Sequence, residues 1–347
     1  MKRLIVSIPI VLALLSGALT GCSPDDQGGK TAKSYTNPVT SFEAADPCLI
    51  KADDGYFYMF CSEGTRGLPV YKSQDLVNWQ MHGIALRESQ RPNLDASGKG
   101  ALWAPEIAKV GQKYVLYYSY YSPLDEMKWG IGAATASNPA GPWVNQGKVF
   151  LGEDVDVCCS IDPCFFSENG KNYLIWGSYF GIWAIELTEN GLKIKDGAEK
   201  VRLAGVDGYG LEGAMIYKKD GKYYLFVSEG GTGYDEHYKL GAYRSDNLLG
   251  PYLNKAGENA AKGGGADFFL RAGSGFRSPG HCSEIITDGK GNDWLFHHAF
   301  IDGHPEKERL LMLEPLTWTD GWPSISDGTP VTTSNTVPVI EGSKVNK

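Results

Sequence analysis

The hydrophobic positions of this chain fall in short dense bursts, with no long helical stripes between them. Five bursts share one plan, a polar or glycine-containing turn followed by a strand-length aromatic and aliphatic run. They are Asp53-Asp54-Gly55 before residues 56–60, residues 110–113 before 114–118, and residues 168–171 before 173–176. The fourth sets residues 219–222 before 223–227, and the fifth sets residues 288–291 before 294–297. Asp-Gly and Asn-Gly between strand-like runs are strong hairpin signals, because a two-residue hairpin turn needs positive φ at its centre. Further along each unit comes a second recurrent loop, at residues 73–79, 137–143, 245–252 and 316–322, each ending in Trp or Tyr. In the third unit the run 182–187 takes that place.

The bursts are apolar at consecutive positions, so both faces of each strand are expected to be covered. A repeat of roughly 50–70 residues with four strands suits a propeller, in which sheets stack radially on one another. The pattern predicts an all-β fold: one five-bladed β-propeller over residues 37–347, with four-stranded antiparallel blades. Forty-four Gly, nineteen Tyr and nine Trp among 347 residues fit that reading, since aromatics favour pleated surfaces and glycine the turns between them.

The N-terminus breaks the pattern. Met1-Lys2-Arg3, an apolar run over residues 4–15 and small residues up to Gly21 form a secretory leader, too short for a comfortable membrane span. Leu19-Thr20-Gly21-Cys22 resembles the bacterial lipoprotein processing box, which implies cleavage before Cys22 and acylation of that cysteine. Residues 22–36 then read as a flexible tether, and the protein is expected at the bacterial cell envelope, touching membrane only through its lipid anchor. Removing Lys2 and Arg3 with the leader leaves 31 basic against 41 acidic residues, a net charge near −10 that disfavours nucleic acid as a partner. Six further cysteines, Cys48, Cys61, Cys158, Cys159, Cys164 and Cys282, show no zinc-finger spacing, and buried free thiols are expected. The chain is expected to act as a monomer.

Just ahead of each hairpin lies the segment expected to line the central channel: residues 44–50, 102–107, 160–165, 210–216 and 278–283. These place Asp46, Asp162, Glu212 and His281 on different blades around one axis. Asp46-Pro47, Ile161-Asp162-Pro163, Leu211-Glu212-Gly213 and Gly280-His281, in that order across all five repeats, resemble glycoside hydrolase family 43, a group of inverting propeller enzymes. The resemblance implies Asp46 as general base, Glu212 as general acid and Asp162 as the residue that adjusts the pKa of the acid and holds it by a hydrogen bond. It also implies that His281 lies near a structural calcium through water, and that Arg309 hydrogen-bonds a sugar hydroxyl. No cofactor is required for the chemistry. Trp103, Phe180 and Trp183 are candidates for stacking on sugar faces.

Within that family, residues 102–107, Gly280-His281, 316–318 and 321–323 look most like the arabinanase branch, which implies α-1,5-L-arabinan or its oligosaccharides as substrate. Ala45 stands where endo-acting members carry His, and Ala214 where a proline is expected, so an exo-acting α-L-arabinofuranosidase or arabinanase is the alternative to endo action, and a β-xylosidase or debranching arabinofuranosidase is the second enzyme reading within the family. A non-catalytic carbohydrate-binding propeller is the rival from another class. Inverting hydrolysis needs one carboxylate to activate water and a second to protonate the leaving oxygen, and a pure binding module has no use for that pair.

Overall fold

The computed structural model describes residues 32–63, 67–91 and 100–346. The leader, Cys22 and the first part of the expected tether lie outside the described residues.

Five sheets form a ring, four of them made of antiparallel neighbours in chain order. Blade one contains Cys48–Lys51, Phe57–Phe60, Leu68–Ser73 and Gln80–Ala85; blade two contains Ala101–Val110, Lys113–Tyr121, Gly130–Ala136 and Val144–Leu151. Cys164–Glu168, Lys171–Trp176, Ile182–Leu187 and Val201–Ala204 make blade three, and Leu211–Lys219, Lys222–Glu229, Lys239–Ser245 and Asp267–Leu270 make blade four. The predicted hairpins are the inner turns of these sheets. At Asn169-Gly170 and Asp220-Gly221 both central residues have positive φ (52° and 75°, 49° and 78°), the geometry that Asx-Gly pairs favour.

The fifth blade departs from the expected four strands. Its innermost strand is split into Phe276–Gly280 and Ile286–Thr287, both paired with Asp293–Ile301, and the C-terminal strand Lys344–Val345 adds to Ile286–Thr287. Leu310–Thr319 and Trp322–Ser324 complete the sheet. The run 182–187, which takes the place of the recurrent loop in the third unit, is the third strand of its blade, paired with Lys171–Trp176 on one side and Val201–Ala204 on the other.

Apolar burial sits between blades. One cluster joins blades one and two through Phe60, Leu116 and Tyr118; a second joins blades two and three through Tyr117, Phe165 and Trp176. Another joins blade five to blade one, with Leu49, Phe57, Met59, Trp294, Phe296 and Leu311. This explains the absence of strict alternation in the strands, since each sheet is sandwiched on both sides.

The propeller domain begins earlier than residue 37. Tyr35–Thr36 pairs with Thr333–Ser334, and Tyr35 is buried, its hydroxyl donating to the Leu313 carbonyl at 2.9 Å. The N-terminal stretch then runs beside blade five. Asn37 Nδ2 donates to Leu313 O and Asn37 Oδ1 accepts from Leu313 N, both at 2.9 Å, and Ala44 N donates to Arg309 O at 2.8 Å. The side-chain amide of Asn37 thus stands in for a backbone partner where the segment lies on the sheet. Asn37→Ala strands the Leu313 N–H in a buried site and leaves its C=O to Tyr35 alone, and is expected to lower the unfolding free energy by about 1–3 kcal/mol. Urea denaturation measures it.

Candidate active site

Each blade enters its innermost strand through one residue in the left-handed region. Asp46, Ala104, Asp162, Gly213 and His281 have φ of 52°, 34°, 60°, 59° and 48°. For residues other than glycine such backbone costs on the order of 1–3 kcal/mol, and Asp tolerates it better than most. The gain is an amide N–H aimed sideways at the preceding blade. Ala104 N donates to Ser62 Oγ at 2.7 Å, Asp162 N to Ser119 Oγ at 2.8 Å and His281 N to Ser228 Oγ at 2.8 Å. Asp46 N closes the circle on His298 Nδ1 of blade five at 3.1 Å. At the junction of blades three and four the pattern changes: Gly213 N donates to the Asp162 carboxylate at 3.0 Å, and Ser178 Oγ donates to Glu212 Oε2 at 2.9 Å.

The structural equivalent of Asp46 and Asp162 is therefore Gly213, with Glu212 one residue earlier. Two consecutive positions on blade four split the work. Gly213 keeps the turn, and a Cβ there would lie 3.0 Å from His281 Nδ1. Glu212, in register with Ser228, turns its carboxylate toward the axis.

The three acids sit in unlike surroundings. Asp46 Oδ1 pairs with Arg309 Nη1 at 2.9 Å, and Ser62 Oγ donates to its Oδ2 at 2.5 Å. Burial alone would raise its pKa, but the Arg309 charge, the neighbouring histidines and the Ser62 bond outweigh that and hold it well below the usual carboxylate range. Glu212 is pushed up by burial and by the charge of Asp46, and is restrained by Tyr238, whose hydroxyl donates to Oε1 at 2.9 Å, and by Ser178. Asp162 is pushed well above its ordinary value by burial and by Glu212 and Asp46, with the Gly213 N–H opposing. The site thus presents one ionised carboxylate facing two that resist ionisation. The expected hydrogen bond from Asp162 to the Glu212 side chain is replaced by the Asp162 bond to Gly213 N, because the left-handed turn offers that N–H first.

His281 and His298 complete the floor. His281 Nδ1 lies 3.4 Å from Asp46 Oδ1 and 4.0 Å from Asp162 Oδ2, and burial lowers its pKa, so it is neutral near pH 7. His298 lies in the second strand of blade five, outside the repeated channel segments. It is fully buried, accepts from Asp46 N, and stacks on Tyr238 with ring centroids 5.7 Å apart. Burial and Arg309 keep it neutral, with its hydrogen on Nε2, which has no hydrogen-bond partner among the described residues. Gly280 makes this packing feasible, since a Cβ there would fall 2.2 Å from the Tyr238 ring.

Asp46, Asp162, Glu212, His281 and Arg309 line one cavity of about 330 Å³, walled further by Trp103, Trp129, Tyr179, Thr232 and Glu236. Trp103 stacks on Tyr121 at 4.3 Å and meets Trp129 edge-on, which leaves an aromatic wall on blade two. The other two stacking candidates are not among these walls. Phe180 is partly buried against the core between blades two and three, and its neighbour Tyr179, 45% exposed, faces the cavity instead. Trp183 packs on the same core under Arg202 and Lys200, with its Nε1 donating to Phe180 O at 2.9 Å. Arg309 reaches the cavity, but its observed partner is Asp46, which draws the guanidinium as the nearest ionised carboxylate.

Three further acids near the channel brace neighbouring elements. Glu106 accepts from Phe165 N at 3.1 Å and Glu284 from Leu49 N at 2.7 Å, which ties blade two to three and five to one, while Glu229 pairs with Lys239 at 2.7 Å. Trp129, Tyr179, Thr232 and Glu236 escaped the sequence reading because they lie on loops outside the repeated motifs. An aromatic beside glycine, as at Trp129-Gly130, was their one visible signal.

A propeller that gathers three buried carboxylates around an axial cavity has the make-up of a glycoside hydrolase. Comparison with known proteins agrees. The model for glycosyl hydrolases family 43 matches residues 35–323. A probable arabinan endo-1,5-alpha-L-arabinosidase A of Aspergillus flavus is 29% identical over 307 residues, 84% of this chain and 94% of that protein. A putative beta-xylosidase of Xylanibacter ruminicola is 30% identical over 307 residues, 86% of this chain and 51% of that protein. The solved alpha-L-arabinanase of Cellvibrio cellulosa, complexed with arabinohexaose, superposes with a TM-score of 0.72 at 26% identity, over 83% of this chain and 96% of that one. The chain belongs to family 43 of the glycosyl hydrolases.

The Tyr238 bond favours the charged form of Glu212. Tyr238→Phe removes it, so the Glu212 pKa is expected to rise further and the alkaline limb of the pH–rate profile to move to higher pH by about one unit, equivalent to about 1.4 kcal/mol. The pH dependence of kcat/KM on a soluble aryl glycoside measures the shift.

Proposed function

We propose that the protein is an inverting hydrolase of α-1,5-linked arabinan or its oligosaccharides. The observation that carries this reading is the placement on the walls of one cavity of Asp46, paired with the Arg309 guanidinium, and Glu212, held by the neutral hydroxyls of Ser178 and Tyr238. Asp46, ionised beside Arg309, takes a proton from water as that water attacks the anomeric carbon. Glu212, its pKa raised first by burial, gives its proton to the glycosidic oxygen as the bond to the leaving sugar breaks. A base that acts through water leaves the product with inverted configuration. Asp162 acts as a positioning residue, fixing the Gly213 amide beside the acid. The names of the Aspergillus and Cellvibrio relatives support arabinan as the substrate class. The Xylanibacter relative favours a second reading, an exo-acting β-xylosidase or arabinofuranosidase.

The donor chemistry around His281 fits a hydrated calcium. His281 also borders a small cavity lined by Glu106 and Glu284. His281, Glu106 and Glu284 would hold the ion, largely through water. When bound, it supplies fixed positive charge below the carboxylates.

Linear arabinan, branched arabinan and aryl arabinofuranoside and xyloside, offered to the purified protein, separate the readings. Hydrolysis of linear arabinan with an inverted anomer, seen by NMR of fresh product, is expected; mixed oligomers mark endo action, and a single small product marks exo action. Asp46→Ala and Glu212→Ala are each expected to lower kcat by about 100- to 10,000-fold. Turnover of none of these glycans, or full activity in both variants, would sink the proposal.

The envelope location rests on the leader and Cys22. Cys22→Ala is expected to release the protein from membranes into the soluble fraction, and a variant that still sediments with membranes refutes the anchor.

A further inference from the structure

The adjacent pair Cys158-Cys159 has no part in the chemistry above. It meets Glu126, which precedes Trp129 of the cavity wall by three residues. The Cys158 thiol donates to Glu126 Oε2 at 3.5 Å, Cys159 Sγ lies 3.9 Å from the same oxygen, and the two sulfurs are 3.3 Å apart. Neighbouring side chains on an extended backbone point to opposite faces. Cys159 adopts φ of 53°, and the two sulfurs converge on one carboxylate oxygen.

Those separations suit a metal. A tetrahedral ion with bonds of about 2.3 Å to sulfur and about 2.0 Å to oxygen needs its donors about 3.5–3.8 Å apart. A disulfide suits the pair less well. Cα atoms joined by a trans peptide stand about 3.8 Å apart, below the usual disulfide range of about 4.4–6.8 Å. A coordinating thiol is deprotonated outright by a bound dication, so both sulfurs would bind as thiolates.

The location gives the site a consequence. Glu126 belongs to the short turn Glu126–Lys128, directly before Trp129 of the cavity wall. Cys159 O accepts from Ile161 N at 3.0 Å, one residue before Asp162. We propose that Glu126, Cys158 and Cys159 bind a thiophilic divalent cation of the zinc class, with the fourth coordination position open to solvent at the exposed Glu126. The ion would tie the aromatic wall of blade two to the entry of blade three.

Cobalt(II) is the spectroscopic probe. Added to the reduced full-length chain, about one equivalent is expected to produce thiolate-to-cobalt absorption in the near ultraviolet and intense tetrahedral bands in the red, both abolished by zinc. Cys158→Ser and Cys159→Ser are each expected to weaken cobalt binding at least about 100-fold, since loss of an outer-shell partner alone costs about 10- to 100-fold. Glu126→Gln should weaken binding while leaving the sulfur absorption visible at high cobalt. Unaltered cobalt binding in both cysteine variants overturns the proposal. So does a native chain in which Cys158 and Cys159 are joined by a disulfide and which takes up no cobalt after reduction.

Discussion

The structure depends on a ring of hydrogen bonds that runs around the propeller axis. At each blade entry a left-handed residue turns its N–H toward the blade before it, and at four of the five junctions a serine hydroxyl or a histidine ring on that blade accepts. Apolar packing between blades is large but non-directional and would tolerate small slippage of one sheet on the next. The hydrogen bonds remove that freedom where it matters, at the axis. They also explain the backbone strain, because only the left-handed conformation aims the amide sideways and the side chain inward together.

Catalytic polarity arises from the one junction where the ring is altered. Between blades three and four the hydroxyl of Ser178 is turned over to Glu212, and the Gly213 amide is taken by Asp162. Both changes follow from Gly213, which leaves the entry residue without a side chain and hands the carboxylate to the position before it. Glu212 therefore accepts from two neutral hydroxyls, whereas Asp46, at an ordinary junction, takes a guanidinium and a hydroxyl. Neutral donors stabilise a carboxylate less than a cation does, and burial then decides the protonation state of Glu212. Two acids in one cavity diverge because one junction of the ring differs from its neighbours.

Much of this was legible in the sequence, and the failures have physical causes. The hairpins were visible because Asx-Gly turns and doubly buried strands leave a strong local pattern. Asp46, Asp162, Glu212 and His281 were visible because polar residues interrupt those strands at repeated positions. The one-residue offset of Glu212 was hidden, since φ is not written in residue type where glycine and aspartate both suit the left-handed region. Phe180 and Tyr179 were exchanged for the same reason: two adjacent aromatics in a tight turn give no sign of which faces the axis. His298 gave no signal in the sequence, because its role is exerted through a backbone amide. The extra strand of blade five and the early start at Tyr35 arise from closure, in which segments far apart in sequence pair without any local signature.

Closure also determines when the base comes into being. Asp46 is the first residue of the ring, and every group that sets its position or charge, apart from Ser62, belongs to the last blade: His298 at its amide, and Arg309 and His281 at its carboxylate. Ala44 is bonded to the backbone of Arg309 itself, two residues from Asp46. Glu212 and its partners Ser178 and Tyr238 instead lie within blades three and four. An open ring would therefore retain the acid and lose the base. The Asn37 clamp and the strand pairing of Tyr35–Thr36, remote from the cavity, hold the seam on which the ionised carboxylate is built.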